Sequence, residues 1–184
     1  LEILTSMRPR DQRRIQKRKL RLLVSAVQSE VFHRVLAQRV EAMERLVDGD
    51  LAWLHRNGAC FLVAEAQREQ PRADAWEISP TGPLPGPKAP VPTGPLAELE
   101  AEAMASLELT MDHFARLPHK LAPGDRRPLR VPLTEVSLAE APPVAAGDGA
   151  QEDLPAGLAV GFALPAGSYA TAVMGEILGV DAVA

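Results

Sequence analysis

Leu164-Pro165-Ala166-Gly167-Ser168-Tyr169-Ala170-Thr171 reads as the end of a strand, a tight turn and the start of a helix. Upstream, Leu158, Val160, Phe162 and Leu164 alternate with Ala159, Gly161 and Ala163. That is the period of a strand with one face of large side chains packed on a core. Downstream, Tyr169, Val173 and Ile177 recur every four residues beside Met174 and Leu178, and Gly179 stands where a C-cap belongs. Ser168 is the expected N-cap, and the free N–H groups of the first helical turn favour a phosphate or another polar ligand. The stretch therefore predicts an aromatic ring at a helix mouth, placed to stack on a base.

Working outward, Gln16 to Leu46 carries Leu20, Leu23, Val24, Val27, Val31, Val35, Val40 and Met43 near helical spacing with no Gly or Pro inside, which predicts one long helix. Val47-Asp-Gly-Asp50 stops it. Leu51 to Val63 predicts a hairpin around His55-Arg56-Asn57-Gly58, with Trp53 and Phe61 as packing anchors. Ser79 to Pro95 holds 7 prolines in 17 residues, which argues for a loop and against any helix or central strand. Leu96 to about Phe114 returns to helical spacing, with Glu98, Glu100 and Glu102 near its positive end. Leu129-Arg-Val131 is a short strand candidate, and Ala139 to Ala156, rich in Ala, Pro, Gly, Asp and Glu, predicts a flexible loop. No internal repeat is visible. The order of helices and strands reads as α+β.

The 184 residues suffice for one good core, or one core and a partial second unit. No apolar run long enough to span a bilayer and no signal segment stands out, so no membrane partner is expected. A single cysteine, Cys60, forms no internal disulfide, and a reducing cytoplasm fits that usage. The first residue is Leu rather than Met, so further native sequence upstream is expected.

The net charge of −4 conceals an asymmetry. Residues 1–45 hold 11 basic and 5 acidic side chains, whereas residues 46–184 hold 9 and 19. Arg8, Arg10, Arg13, Arg14, Lys17, Arg18, Lys19 and Arg21 form a run able to neutralise phosphates. The competing reading of that run is a solvated helix start whose charges do nothing specific. Arg13, Arg14, Lys17, Arg18, Lys88 and Arg130 are the candidates for contact with an RNA backbone.

Other chemistries find no support. His33, His55, His113 and His119 are scattered, and no His/Cys spacing suits zinc, so no metal is expected. Ser25 and Ser29 share a helix face without a base nearby in sequence, which favours hydrogen bonding at the core edge. In Thr81-Gly-Pro-Leu-Pro-Gly86 the prolines remove the donors that a phosphate loop needs.

Leu164 to Thr171, followed by Val173 and Glu176, resembles the closing motif of the TruD family of tRNA pseudouridine synthases. The segments Leu23-Val-Ser-Ala-Val-Gln-Ser-Glu-Val-Phe32, Val47-Asp-Gly-Asp50, Ser79-Pro-Thr-Gly-Pro-Leu-Pro-Gly86 and Arg130-Val131 resemble further family blocks in the same order. The resemblance implies that residues 1–128 are most of an inserted domain particular to the family, incomplete at its N-terminus. Residues 129–184 are then the returning strand-helix part of a pseudouridine synthase catalytic domain, with tRNA bound in a cleft between the two. It implies isomerisation of uridine 13 in tRNA without metal or organic cofactor. An aspartate attacks the nucleotide or removes a ribose proton, the glycosidic bond breaks, and the uracil turns and rejoins through C5.

Tyr169 falls where the family carries a substrate-contacting aromatic. Against this stands the plain alternative of a ring packed under the sheet with its hydroxyl at the edge. The Asp nucleophile belongs to a Gly- and Lys-containing segment that nothing here matches, and the family's Asn-Tyr-Phe-Gly block is absent too. The expectation is thus a piece lacking the N-terminal half of the same enzyme, without a catalytic residue of its own and inactive alone. Gly175 and His33 depart from the family's usual Arg and Asn, which weakens any pairing an Arg would make beside the last helix. Two other readings stand: a non-catalytic RNA-binding module that uses the basic N-terminal helix, and an interaction fragment with no RNA partner.

Overall fold

The long apolar-striped segment near the N-terminus is helical in the computed structural model, which describes residues 17–118, 120–143 and 155–179. Helix α1 spans Lys17–Arg39 and tightens into a 3-10 turn at Val40–Ala42. Strands β1 (Leu51–Leu54) and β2 (Cys60–Leu62) form the expected hairpin, in register Leu51 with Leu62 and Trp53 with Cys60. The N–H groups of both Asn57 and Gly58 donate to Leu54 O, and Gly58 takes the left-handed backbone its turn requires. Leu51 and Ala52 are the buried members of this hairpin, while Trp53 and Phe61 are half-buried.

A helix that the sequence reading did not pick out, α2 (Ala66–Asp74), follows, with Pro71 inside it. Next come β3 (Ile78–Leu84), α3 (Pro95–Ala105), α4 (Met111–Ala115), β4 (Asp125–Pro128), β5 (Thr134–Ala141), β6 (Gly157–Ala163) and α5 (Ala170–Leu178). The chain divides into two units, Leu1–Arg130 and Val131–Ala184. The first contains an antiparallel sheet in the order β2-β1-β3-β4, and the second the antiparallel pair β5-β6 and α5.

The largest departure from the sequence reading is β3. Its prolines do not exclude a strand; the strand lies between β1 and β4 and is buried along most of its length. The ladders are consecutive rather than simultaneous. Ile78, Ser79 and Pro80 pair with β1, while Thr81, Gly82, Pro83 and Leu84 pair with β4. Pro80 O accepts from Leu129 N–H at 2.9 Å, on the β4 side. In a strand a residue's N and C=O point the same way, so the imide nitrogen of Pro80 faces away from β1 and removes no bond from that ladder. Pro83, three residues on, faces the opposite side, beyond the end of β1. Neither proline therefore takes a bond from the β1 ladder.

Smaller corrections have equally local causes. The helix expected from Leu96 to Phe114 is two helices. Ser106 Oγ donates to Ala103 O, Glu108 takes a left-handed backbone, and Leu109 N–H returns to Met104 O, which ends α3. The strand expected at Leu129–Val131 lies just before it, at Asp125–Pro128. Residues 139–141 of the expected loop belong to β5, paired with Ala159, Leu158 and Gly157, and residues 144–154 lie outside the described ones.

The first unit has two apolar clusters. Leu20, Val24, Val31 and Val35 of α1 pack against Ala103, Leu107, Leu109, Phe114 and Leu117. Leu46, Ala52, Val63, Ala73 and Ile78 form the other, under the hairpin and α2. Fully burying a Leu or Phe contributes about 1.5–3 kcal/mol, so these clusters are the main apolar contribution to this unit's stability. Among the described residues, two buried ion pairs join its elements. Arg39 forks onto both carboxylate oxygens of Asp50 at 3.0 and 2.9 Å. Arg126, 3% exposed, forks onto Glu100 at 2.9 and 2.7 Å and donates to Thr81 Oγ1 and O. Thr81 Oγ1 in turn donates to Leu51 O at 2.7 Å.

Replacing Glu100 with Ala leaves a guanidinium buried without its counter-charge, and we expect a loss of about 3–5 kcal/mol in unfolding free energy. The pair Glu100→Leu with Arg126→Met should cost clearly less than the two single changes added together. Urea denaturation of the four proteins measures this, and additive losses would show that the two charges do not depend on one another.

Candidate functional site

In the second unit the sequence-predicted strand-turn-helix is present. Ser168 N–H donates to Pro165 O at 3.1 Å, which closes the turn, and Gly167 sits at φ 90° with open space around the Cβ position. Its glycine is required by backbone conformation, not by crowding. Tyr169, not Ser168, is the N-cap residue of α5, and it makes no side-chain capping bond. The correction follows from the turn: the bond to Pro165 O keeps Ser168 inside it, so the helical dihedrals begin one residue later.

Tyr169 is 72% exposed at this helix mouth. No acidic residue lies in the first turn of α5, and Gly179 ends the helix in the left-handed conformation at φ 62°. Beside it the β5-β6 hairpin leaves Val136, Leu138 and Leu158 exposed, while Val160, Phe162 and Leu164 of the predicted face are half-buried, so that face is only partly covered within the described residues.

The basic candidates are distributed unevenly. Arg13 and Arg14 lie outside the described residues, as does the side chain of Lys17. Arg18, Lys19 and Arg21 are exposed at the start of α1, where with Leu22 and Ser25 they line a shallow groove. Lys88 is exposed on the loop after β3; its backbone N–H donates to Pro123 O at 2.7 Å, which pins the loop while the side chain stays out. Gly86 and Gly124 make this possible, because a Cβ on Gly86 would fall 2.3 Å from Gly124 N.

Arg130 is half-buried. Its Nε donates to Ser79 Oγ at 3.3 Å, Nη2 donates to Ala73 O, and the guanidinium lies 4.2 Å from the centre of the Trp76 ring. His55 Nε2 meets the same Ser79 Oγ at 2.8 Å. Sequence reasoning missed this cluster, since residues 55, 76, 79 and 130 meet only through the pairing of β3 with β1 on one side and with β4 and Leu129 on the other. Among the described residues no three His, Cys, Asp or Glu side chains gather as metal ligands, and no helix is long and apolar enough to cross a membrane.

Comparison with known proteins places the chain in a family. The family model for TruD, tRNA pseudouridine synthase D, matches residues 10–177. The tRNA pseudouridine synthase D of Syntrophotalea carbinolica is 41% identical over 169 residues, covering 92% of this chain and 39% of that protein. That of Geobacter sulfurreducens is 43% identical over 164 residues, covering 89% and 37%. A solved chain from Methanosarcina mazei described as tRNA pseudouridine synthase D superimposes with a TM-score of 0.69 at 22% identity, covering 93% of this chain and 40% of that one. At such identity the last likeness is one of fold. The chain belongs to the TruD family of tRNA pseudouridine synthases, and it spans about 40% of the length of the curated relatives it matches.

Burial, and then the Arg130 charge, hold the His55 imidazole below its ordinary value of 6.5. The folded state therefore takes up its proton later than the unfolded chain does. Stability from this residue should be complete above pH 6.5 and fall as the pH drops below it, levelling off once folded His55 is itself protonated. Thermal unfolding of the wild type and of His55→Asn at neutral and mildly acidic pH checks the sign: the wild type should lose more on acidification.

Proposed function

We propose that this chain supplies the C-terminal part of a tRNA pseudouridine synthase that isomerises uridine 13 of tRNA, and that Tyr169 contacts the reacting nucleotide. The observation that carries the reading is Tyr169, 72% exposed at an uncapped helix start within the motif that resembles the family's closing block. A uridine in folded RNA must leave its stack before C5 can reach the ribose, at a cost of roughly a few kcal/mol. A ring that stacks on the extruded base offsets about 1–3 kcal/mol of that. The open N–H groups of the first turn of α5 suit a phosphate or a uracil carbonyl beside it.

The nucleophilic aspartate comes from upstream sequence, and the exposed Val136, Leu138 and Leu158 of the β5-β6 hairpin are covered by that same upstream half. The reaction then needs no metal or organic cofactor, and a tRNA substrate puts the protein in the cytoplasm. The exposed Arg18, Lys19 and Arg21 favour a second reading, a non-catalytic module that holds RNA by charge. In it, Arg18 and Lys88, with Arg13, Arg14 and Lys17, neutralise phosphates, whereas Arg130, first counted among these candidates, is taken up by Ser79 Oγ, Ala73 O and the Trp76 ring.

Incubated with unmodified tRNA, the isolated chain should form no pseudouridine above background on nucleoside analysis, and the product should appear when the upstream half is supplied. Turnover by the chain alone would show that its nucleophile lies within these 184 residues. Tyr169→Ala should lower the activity of the reassembled enzyme by about five- to 150-fold, as expected for about 1–3 kcal/mol of lost stacking. Under the second reading, tRNA affinity falls steeply with salt and survives Tyr169→Ala.

A further inference from the structure

Helix α2 ends in a Schellman motif whose left-handed residue is Trp76. Trp76 N–H donates to Ala73 O at 3.0 Å, Glu77 N–H donates to Arg72 O at 3.0 Å, and Trp76 has φ 59°. Glycine is the usual occupant of this position because it takes that backbone freely. For a bulky aromatic the same conformation is strained. The backbone hydrogen bonds would form equally well with glycine, so they do not call for the indole. Nor does the core, since Trp76 remains 44% exposed. The contact that the ring does make is with Arg130, whose guanidinium is held by Ser79 Oγ and Ala73 O and stacks 4.2 Å from the ring centre.

We propose that Trp76, backed by Arg130, is a stacking platform for an unpaired nucleobase of RNA, at a place in the chain distinct from Tyr169. The proposal rests on the reading above that RNA is the ligand. A ring clamped on one side by an anchored cation loses little freedom when a base lands on it, which is how a preorganised contact adds affinity. The local charges decide what part of a nucleotide is recognised. Glu44 and Asp74 lie near Arg130, and Glu77, exposed beside Trp76, pairs with Arg72. Carboxylates around the cation disfavour a phosphate there, so the base is the recognised group and its contribution should vary little with salt.

The test compares the wild-type chain with Trp76→Gly and Trp76→Phe by fluorescence anisotropy, using a labelled oligouridylate and an abasic oligonucleotide of the same length. Trp76→Gly relieves the left-handed strain and keeps the motif, so its melting temperature should hold or rise. Its affinity for oligouridylate should fall by about fivefold or more, while its affinity for the abasic strand stays put, and Trp76→Phe should retain most of the wild-type preference. The salt slopes of the three proteins should be parallel. Oligouridylate binding by Trp76→Gly equal to wild type, or a drop in melting temperature with binding unchanged, would overturn the platform and leave the ring a structural role. No preference of the wild type for the base-bearing strand would overturn it too. Failure of the wild type to bind either strand would instead sink the RNA reading itself, and this proposal with it.

Discussion

The buried fork between Arg126 and Glu100 is the constraint on which the first unit turns. A guanidinium on a residue only 3% exposed tolerates burial only when its donors are answered, and here a carboxylate and both oxygens of Thr81 answer them. Glu100 comes from α3, Thr81 from β3 and Arg126 from β4, so one side chain ties three elements, and Thr81 Oγ1 carries the tie on to β1. Desolvation pushes the Glu100 carboxyl upward and the paired guanidinium pulls it back. Because Thr81 is where β3 passes from one neighbour to the other, the fork also fixes that changeover.

A second fork, Arg39 onto Asp50, does similar work where α1 ends and the sheet begins. Asp50 is 1% exposed, and Arg39 also donates to Arg45 O at 2.8 Å, which draws the turn after the 3-10 segment onto the helix end. Gly49, at φ 90°, lets the backbone come so close to Thr93 that a Cβ would lie 2.4 Å from Thr93 O. The proline-rich stretch after β3 is therefore held at both ends, by Gly49 at Thr93 and by Gly124 at Gly86. Its exposed middle, where Lys88 lies, is presented on a fixed frame.

The second unit is built differently. Its hairpin has exposed large side chains, and α5 begins on a residue whose side chain does not cap it. An exposed tyrosine beside unanswered N–H groups and a partly covered strand face are poor contributions to stability. They suit a surface that meets something else, which agrees with a chain that spans about 40% of its relatives' length.

Local signals were legible where one short stretch decides the outcome. The α1 stripe, the His55-Arg56-Asn57-Gly58 turn, the β6 alternation and the Gly179 cap all act over a few residues, so the sequence alone determines them, together with the α+β class and the family's motifs. Proline count misled at β3, because whether a missing N–H matters depends on which side has a partner, and only strand pairing decides that. Helix α2 was hidden by its polar composition and Pro71. Glu100 reads in sequence only as one of three acidic residues near a helix's positive end, and its partner Arg126 stands far along the chain. Trp76 with Arg130 and Ser79 with His55 likewise have no spacing to read. Sequence fixes what each residue prefers locally, and tertiary structure decides which charges and rings find partners, because those contacts join positions that only the folded sheet brings together.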